Sequence, residues 1–142
     1  MRIDVLNGVN LNLLGRRDPQ QYGELSLSEL ETQIYAWASE LGCNVRLRQT
    51  NQEGEFIDWC HDALDRADGV VVNPGAWTHY CWSIRDALEP VQAPIVEVHL
   101  SNVDDREEWR RHSVLEGLVA RRIVGQGPEG YRAALEYLIG QA

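Results

Sequence analysis

The sequence predicts an α/β fold: a doubly wound, five-stranded parallel sheet with helices on both faces. Three observations carry this. Strand-length apolar runs alternate five times with helix-length segments whose apolar residues recur at helical spacing. The third run, residues 69–72, is apolar without a break, as expected of a strand covered on both faces. Three strand ends pass directly into polar clusters, and open parallel sheets bind ligands outside the carboxyl ends of their strands.

The first strand is predicted over residues 2–6. It runs into the polar loop NGVNLNLLGRRDPQQYG, residues 7–23, which holds Asn10, Arg16, Arg17 and Tyr22. A loop this long and polar at a strand end serves function more often than packing. A helix follows from Ser26 or Ser28 to Leu41, with Ser28 and Glu31 spaced as a capping box and Gly42 as C-cap. Leu30, Ile34, Trp37, Ala38 and Leu41 form its apolar face. The second strand covers residues 44–49. The second helix covers residues 53–67, with Phe56, Ile57, Cys60 and Leu64 in helical period. The third strand ends in Asn73-Pro74-Gly75, and a helix is predicted over residues 78–88. Strand four, residues 94–98, is followed by His99. A short charged helix begins at Asp104 or Asp105, the latter in capping-box spacing with Glu108. Strand five is residues 120–124 and the last helix residues 127–140. No linker, repeat or low-complexity segment interrupts this pattern, so residues 1–142 are expected to form a single domain with flavodoxin-like winding.

Composition narrows the chemistry. The net charge of -9 argues against bulk attraction to nucleic acid or to an acidic membrane, so an anionic ligand needs local arginines. All 13 basic residues are arginine. Without lysine there is no side-chain Schiff base and no P-loop lysine. Cys43, Cys60 and Cys81 form no CxxC pair and read as reduced thiols. With no spanning apolar run and no signal-peptide pattern, a cytoplasmic location is the expectation.

Several residue groups have the makings of a site. A phenol with an ordinary pKa of about 10 is a weak base at neutral pH, and a close guanidinium favours the phenolate. Tyr22 and Arg17 could form such a pair, although spacing alone favours a loop tyrosine packed on apolar surface beside a solvated arginine. Glu97 and His99 lie two apart on a strand, hence on one side of the sheet. A carboxylate beside an imidazole can keep it a proton donor; two polar residues merely ending a strand are the equal alternative. Asn73 and His79 could contact a ligand hydroxyl, while turn chemistry accounts for Asn-Pro-Gly and makes Thr78 an N-cap. Ser101 and Asn102 could offer backbone N–H groups to a carboxylate. Arg106 and Arg110, at i,i+4, share a helix face, and with Glu107 and Glu108 as neighbours this segment on its own reads as a salt-bridged surface helix. The four histidines show no metal-ligand spacing, and no metal site is expected.

Taken together, LNGVNLNLLGRRDPQQYG, EGEFIDWCHDA, NPGAWTH, RDAL, PIVEVHLSNV, REEWRRHS and GYRAALEYL resemble the type II 3-dehydroquinate dehydratases of the shikimate pathway. The resemblance runs from residue 3 to about residue 139. It implies a flavodoxin-like subunit, trimers assembled into a dodecamer, and a cofactor-free, metal-free lyase. The implied reaction is anti elimination of water from 3-dehydroquinate through an enolate, a step in aromatic amino acid biosynthesis. It further implies that Tyr22 is the base, Arg17 its activating cation and Asn10 the holder of a water at the enolate oxygen. His99 would be the general acid and Glu97 its orienting carboxylate. Asn73, His79 and Arg110 would contact ring hydroxyls, and Ser101 and Asn102 the substrate carboxylate. Arg106 would close near the tyrosine, and Asp86 would reach a neighbouring subunit's site. Residues 16–23 would form a lid. Val9, Tyr80, Cys81, Trp82, Asp104, Asp105 and Val114 depart from the family's usual residues. A non-catalytic binder of a cyclic polyhydroxy acid, or a dehydratase for a related cyclic keto acid, are the alternatives, and a catabolic role in quinate breakdown would use the same chemistry.

Overall fold

The computed structural model describes residues 1–22 and 24–142. Five parallel strands, β1 (Arg2–Asn7), β2 (Asn44–Gln49), β3 (Gly69–Asn73), β4 (Ile95–His99) and β5 (Arg121–Val124), lie in the order β2-β1-β3-β4-β5. This is the doubly wound, flavodoxin-like order, and its switch point lies between β1 and β3. A short helix α1 (Pro19–Tyr22) sits in the first loop. The main helices are α2 (Leu27–Leu41), α3 (Glu53–Arg66), α4 (Trp82–Leu88) and α5 (Glu129–Gly140).

Alternation along the strands sorts side chains into two core layers. Ile3, Val5, Val71, Val96 and Val98 pack with Leu30 and Ile34 of α2 and with Leu135 and Leu138 of α5. Leu6, Val70, Val72 and Ile95 pack with Phe56 and Cys60 of α3 and with Ile84 and Leu88 of α4. The same parity decides which layer the polar strand ends enter. Asn7 and Asn73 continue the row that faces α2 and α5. Glu97 and His99 continue the row that faces α3 and α4.

Sequence and structure part at several boundaries, each with a local cause. The capping box of α2 is Ser26 with Glu29, not Ser28 with Glu31: the Ser26 hydroxyl accepts the Glu29 N–H, and the Glu29 carboxylate accepts the Ser26 N–H. Gly42 is the C-cap, at φ 77°. On α3 the buried position is Ala63, and Leu64 is exposed. Residues Gly75–His79 form a 3₁₀ turn, so α4 begins at Trp82 and Thr78 caps nothing. The charged segment is two 3₁₀ turns, Val103–Asp105 and Glu108–Arg111, with Arg106 between them. Arg106 and Arg110 therefore do not share a helix face. Asn102 caps the first turn by accepting the Asp104 N–H, and it donates to Asp105. The last helix starts at Glu129, two residues later than expected.

The three cysteines are buried and unpaired among the described residues, and burial pushes the Cys60 thiol up to about 12. No helix among the described residues is long and apolar enough to cross a membrane.

Candidate active site

The ends of β1, β3 and β4 open into one cavity. It is lined by Asn10, Arg17, Tyr22, Asn73, His79, His99, Leu100, Ser101, Arg106 and Arg110, with Val9, Leu11, Gly75, Ala76 and Val103 completing the wall. Three arginines and two histidines line it, and among the described residues no carboxylate does. In a chain of net charge -9 this is a local cationic basin suited to an anionic ligand. A wider groove at the opposite end of the sheet has Asp65 and Asp68 as its only ionisable side chains and lacks such convergence.

The first loop is locked to the third strand end by close backbone approach. A Cβ on Gly8 would fall 2.5 Å from the Pro74 carbonyl oxygen, and one on Gly75 (φ +64°) would fall 2.5 Å from the Val9 carbonyl oxygen. Only glycine fits at both contacts. Asn10 adopts the left-handed conformation, φ 70°, which asparagine tolerates, and its N–H donates to Asn51 at 2.8 Å.

Two guanidinium groups converge on the Tyr22 oxygen. Arg17 Nη2 donates to it at 2.7 Å and Arg106 Nη1 at 2.5 Å. The Arg17 guanidinium also lies over the ring, 3.8 Å from its centre. Arg106 reaches Ser101 Oγ as well, at 3.4 Å. Two cationic donors aimed at one phenolic oxygen complement negative charge on that atom. Spacing suggested Arg17 here and the family resemblance Arg106, which arrives from 84 residues away. The lid segment expected over residues 16–23 is described as far as Tyr22, and Gly23 lies outside the described residues.

The second cluster is built around Glu97, which is fully buried. Its Oε2 accepts from Thr78 Oγ1 at 2.5 Å and from His99 Nε2 at 2.6 Å. Ser113 Oγ donates to Oε1 at 2.9 Å, and Arg122 Nε lies 3.7 Å from Oε2. Burial alone would raise this carboxyl's pKa. The His99 hydrogen bond and charge, the Thr78 hydroxyl and the Arg122 charge outweigh it and hold the group below the usual carboxylate range. Glu97 is thus an anion inside the fold. Because a carboxylate only accepts, His99 carries its proton on Nε2 and presents Nδ1 as the remaining ring nitrogen.

His79 stacks near His99, with ring centres 6.3 Å apart, and its Nδ1 donates to the His112 carbonyl at 2.7 Å. Burial lowers its pKa, helped by the charges of His99 and Arg110 and opposed by the His112 carbonyl and Glu97. The neutral ring then offers Nε2 as an acceptor. Arg110 is held by an ion pair with Glu107. Asn73 is buried; its Oδ1 accepts the Gly75 N–H at 3.2 Å and its Nδ2 donates to the Tyr131 hydroxyl at 2.9 Å.

Of the residues singled out in the sequence, Asn10, Arg17, Tyr22, Asn73, His79, His99, Ser101, Arg106 and Arg110 share this cavity, and Glu97 stands directly behind it. Asn102 does not line it. Its side chain is spent on Asp104 and Asp105, and Leu100 beside Ser101 supplies that wall instead. Asp86 is an exposed residue of α4 outside this chain's cavity. Thr78, Ser113 and Arg122 were missed as partners of Glu97. The available signal was Glu97 itself: a carboxylate inside a doubly covered strand must find donors nearby. Among the described residues no three His, Cys, Asp or Glu side chains gather as a metal site.

Residues 1–139 match the family described as Dehydroquinase class II. A protein of Pseudomonas aeruginosa named 3-dehydroquinate dehydratase 2 is 52% identical over 133 residues, 94% of this chain and 90% of that protein. A 3-dehydroquinate dehydratase of Bacillus pumilus is 47% identical over 137 residues, 96% of this chain and 93% of that one. The crystal structure of a type II dehydroquinase from Propionibacterium acnes superposes with a TM-score of 0.94 at 46% identity, covering 98% of this chain and 96% of that one. The chain belongs to the class II dehydroquinase family.

Proposed function

We propose that this chain dehydrates 3-dehydroquinate to 3-dehydroshikimate, with Tyr22 and His99 dividing the work. Family membership and relatives named for this reaction support the overall chemistry. The observation that carries the division of labour is the pairing of two built groups on one cavity: a phenol oxygen held by two guanidiniums, and an imidazole backed by a buried carboxylate.

The Tyr22 oxygen takes the proton from C2, and the C2–H electrons flow into the adjacent ketone as an enolate. Asn10 holds a water that donates to the new oxyanion, the usual device for stabilising charge as it develops. The enolate then collapses: the C1–O bond breaks, and His99 Nδ1–H protonates the departing hydroxyl as water. Glu97 compensates the imidazolium charge before that transfer and orients the ring through Nε2. The proton left on Tyr22 returns to solvent, and His99 is reprotonated, closing the cycle. Asn73, His79 and Arg110 contact the ring hydroxyls. Ser101, with Leu100 beside it in the cavity wall, receives the carboxylate. Arg106 latches over Tyr22, with the segment from Arg16 onward as the lid. No cofactor enters this scheme.

The same reading carries a single domain over residues 1–142, a place in the shikimate pathway, a cytoplasmic location, and trimers assembled into a dodecamer. In the trimer the exposed Asp86 of one subunit reaches the site of the next. The test is direct. Purified protein mixed with 3-dehydroquinate and a chelator is followed by ultraviolet absorbance of the conjugated enone. Product formation is expected. A flat trace from folded protein, with substrate still bound, would favour the non-catalytic binder.

A further inference from the structure

Behind the site lies a buried residue that does not itself line the cavity but bonds to one that does. Gly130 at the start of α5 lies close on the sheet: a Cβ there would meet Val98 at 3.3 Å and Ile123 at 3.5 Å. That close seat brings the next residue, Tyr131, which is 1% exposed, under the ends of β1 and β3. Its hydroxyl sits between Asn7 and Asn73, two residues in register on adjacent strands. It donates to Asn7 Oδ1 at 2.6 Å and accepts from Asn73 Nδ2 at 2.9 Å.

The sense of this hydrogen-bond chain is set at Gly75, whose N–H requires the Oδ1 of Asn73 on its side and so turns Nδ2 toward Tyr131. A hydroxyl has one proton, and here it goes to Asn7 Oδ1. Rotating the Asn73 amide by half a turn would set donor against donor at Gly75 and leave its oxygen facing a hydroxyl whose proton is already committed. Asn73 therefore presents one defined pattern to the cavity it lines: the second Nδ2 hydrogen and the second lone pair of Oδ1. Burial also raises the Tyr131 pKa, so this hydroxyl keeps its proton across the working pH range.

We infer that Tyr131 is a positioning residue for the reaction, acting through Asn73: its hydroxyl, anchored on Asn7, fixes the amide orientation that meets a substrate ring hydroxyl. The inference rests on the reading of Asn73 as a substrate contact, and a double-mutant cycle separates the two. Asn73→Ala, Tyr131→Phe and the double variant are compared for kcat and KM, with urea unfolding as the measure of fold. Tyr131→Phe is expected to raise KM about threefold to tenfold with kcat nearly unchanged, because a ground-state contact loses its aim. The rise should be the same across the pH profile. In the Asn73→Ala background the Tyr131→Phe change should have no further effect on KM. Independent, multiplying losses in KM would overturn the positioning role while leaving the Asn73 contact standing. A wild-type KM in Asn73→Ala itself would overturn both. Should Tyr131→Phe fail to fold, Asn7→Ala makes the same test. It frees the Tyr131 proton, lets the Asn73 amide turn, and must show the same non-additivity with Asn73→Ala.

Discussion

Replacing Thr78 by valine removes one donor from Glu97 and keeps the side-chain shape. Both residues are fully buried, and the Thr78 Oγ1 to Glu97 Oε2 distance is 2.5 Å. A hydrogen bond to a charged group contributes about 1.5–3 kcal/mol. Valine also puts a methyl where the hydroxyl was, and a carbon approaches an oxygen no closer than about 3.3 Å. The carboxylate must then retreat by roughly 0.8 Å. The same Oε2 holds His99 Nε2 at 2.6 Å, so the general acid moves with it. A misplacement near 1 Å costs up to about 10²-fold in rate. Thr78→Val is expected to lose about 2–3 kcal/mol of unfolding free energy at neutral pH. Its kcat should fall by about tenfold to a hundredfold, with KM little changed. Thr78→Ser, which keeps the hydroxyl, should retain most of both. The pH dependence fixes the cause. Glu97 is held below its ordinary 4.5 in the fold, so its contribution is present above that pH and is lost as pH falls through the folded value. The difference between Thr78→Val and wild type should therefore shrink on acidification below 4.5, as the carboxyl protonates. Urea unfolding at several pH values and initial rates would measure this. Wild-type stability at neutral pH, or a penalty that grows in acid, would refute the reasoning.

Three further outcomes are expected. Tyr22→Phe should lower kcat by about 10²–10⁴-fold while calorimetry still detects substrate binding; near-normal turnover would remove Tyr22 as base. Arg106→Gln should lower kcat/KM by about tenfold or more and leave unfolding free energy within about 0.5 kcal/mol, since it holds Tyr22 and Ser101 from a half-exposed position. A larger stability loss would make it structural. His79 has its pKa lowered by burial, so below 6.5 the unfolded chain takes up this proton first and stability falls with pH. His79→Asn should flatten that slope between about pH 7 and pH 5, and an unchanged slope in urea unfolding would contradict the assignment.

What was readable in the sequence follows from the range of the interactions. Glu97 and His99 were legible together because strand parity puts i and i+2 on one side, and the 2.6 Å contact follows from it. The sheet order follows from five alternations and short connections. Arg17 and Tyr22, five apart in one loop, were within reach as a pair. The second guanidinium on Tyr22 came from the family resemblance alone, which put Arg106 near the tyrosine; spacing could not give it, because Arg106 reaches Tyr22 by way of a 3₁₀ turn where the charge pattern promised a helix. Thr78 read as an N-cap because Ser and Thr before a helix usually cap it, and only the burial of Glu97 assigns its hydroxyl elsewhere. Tyr131 gave no local signal at all, as its partner Asn7 lies 124 residues away. At α2 the spacing offered two serines, and the reciprocal bonds with Glu29 selected Ser26.

The central claim is that Tyr22 removes the C2 proton and His99 releases the hydroxyl. Its most direct test is exchange of the C2 proton with deuterated solvent, measured by nuclear magnetic resonance in His99→Ala and Tyr22→Phe. The account predicts that His99→Ala still exchanges at C2 faster than it forms product, and that Tyr22→Phe does neither. Wild-type exchange in Tyr22→Phe, or loss of exchange only in His99→Ala, would contradict it.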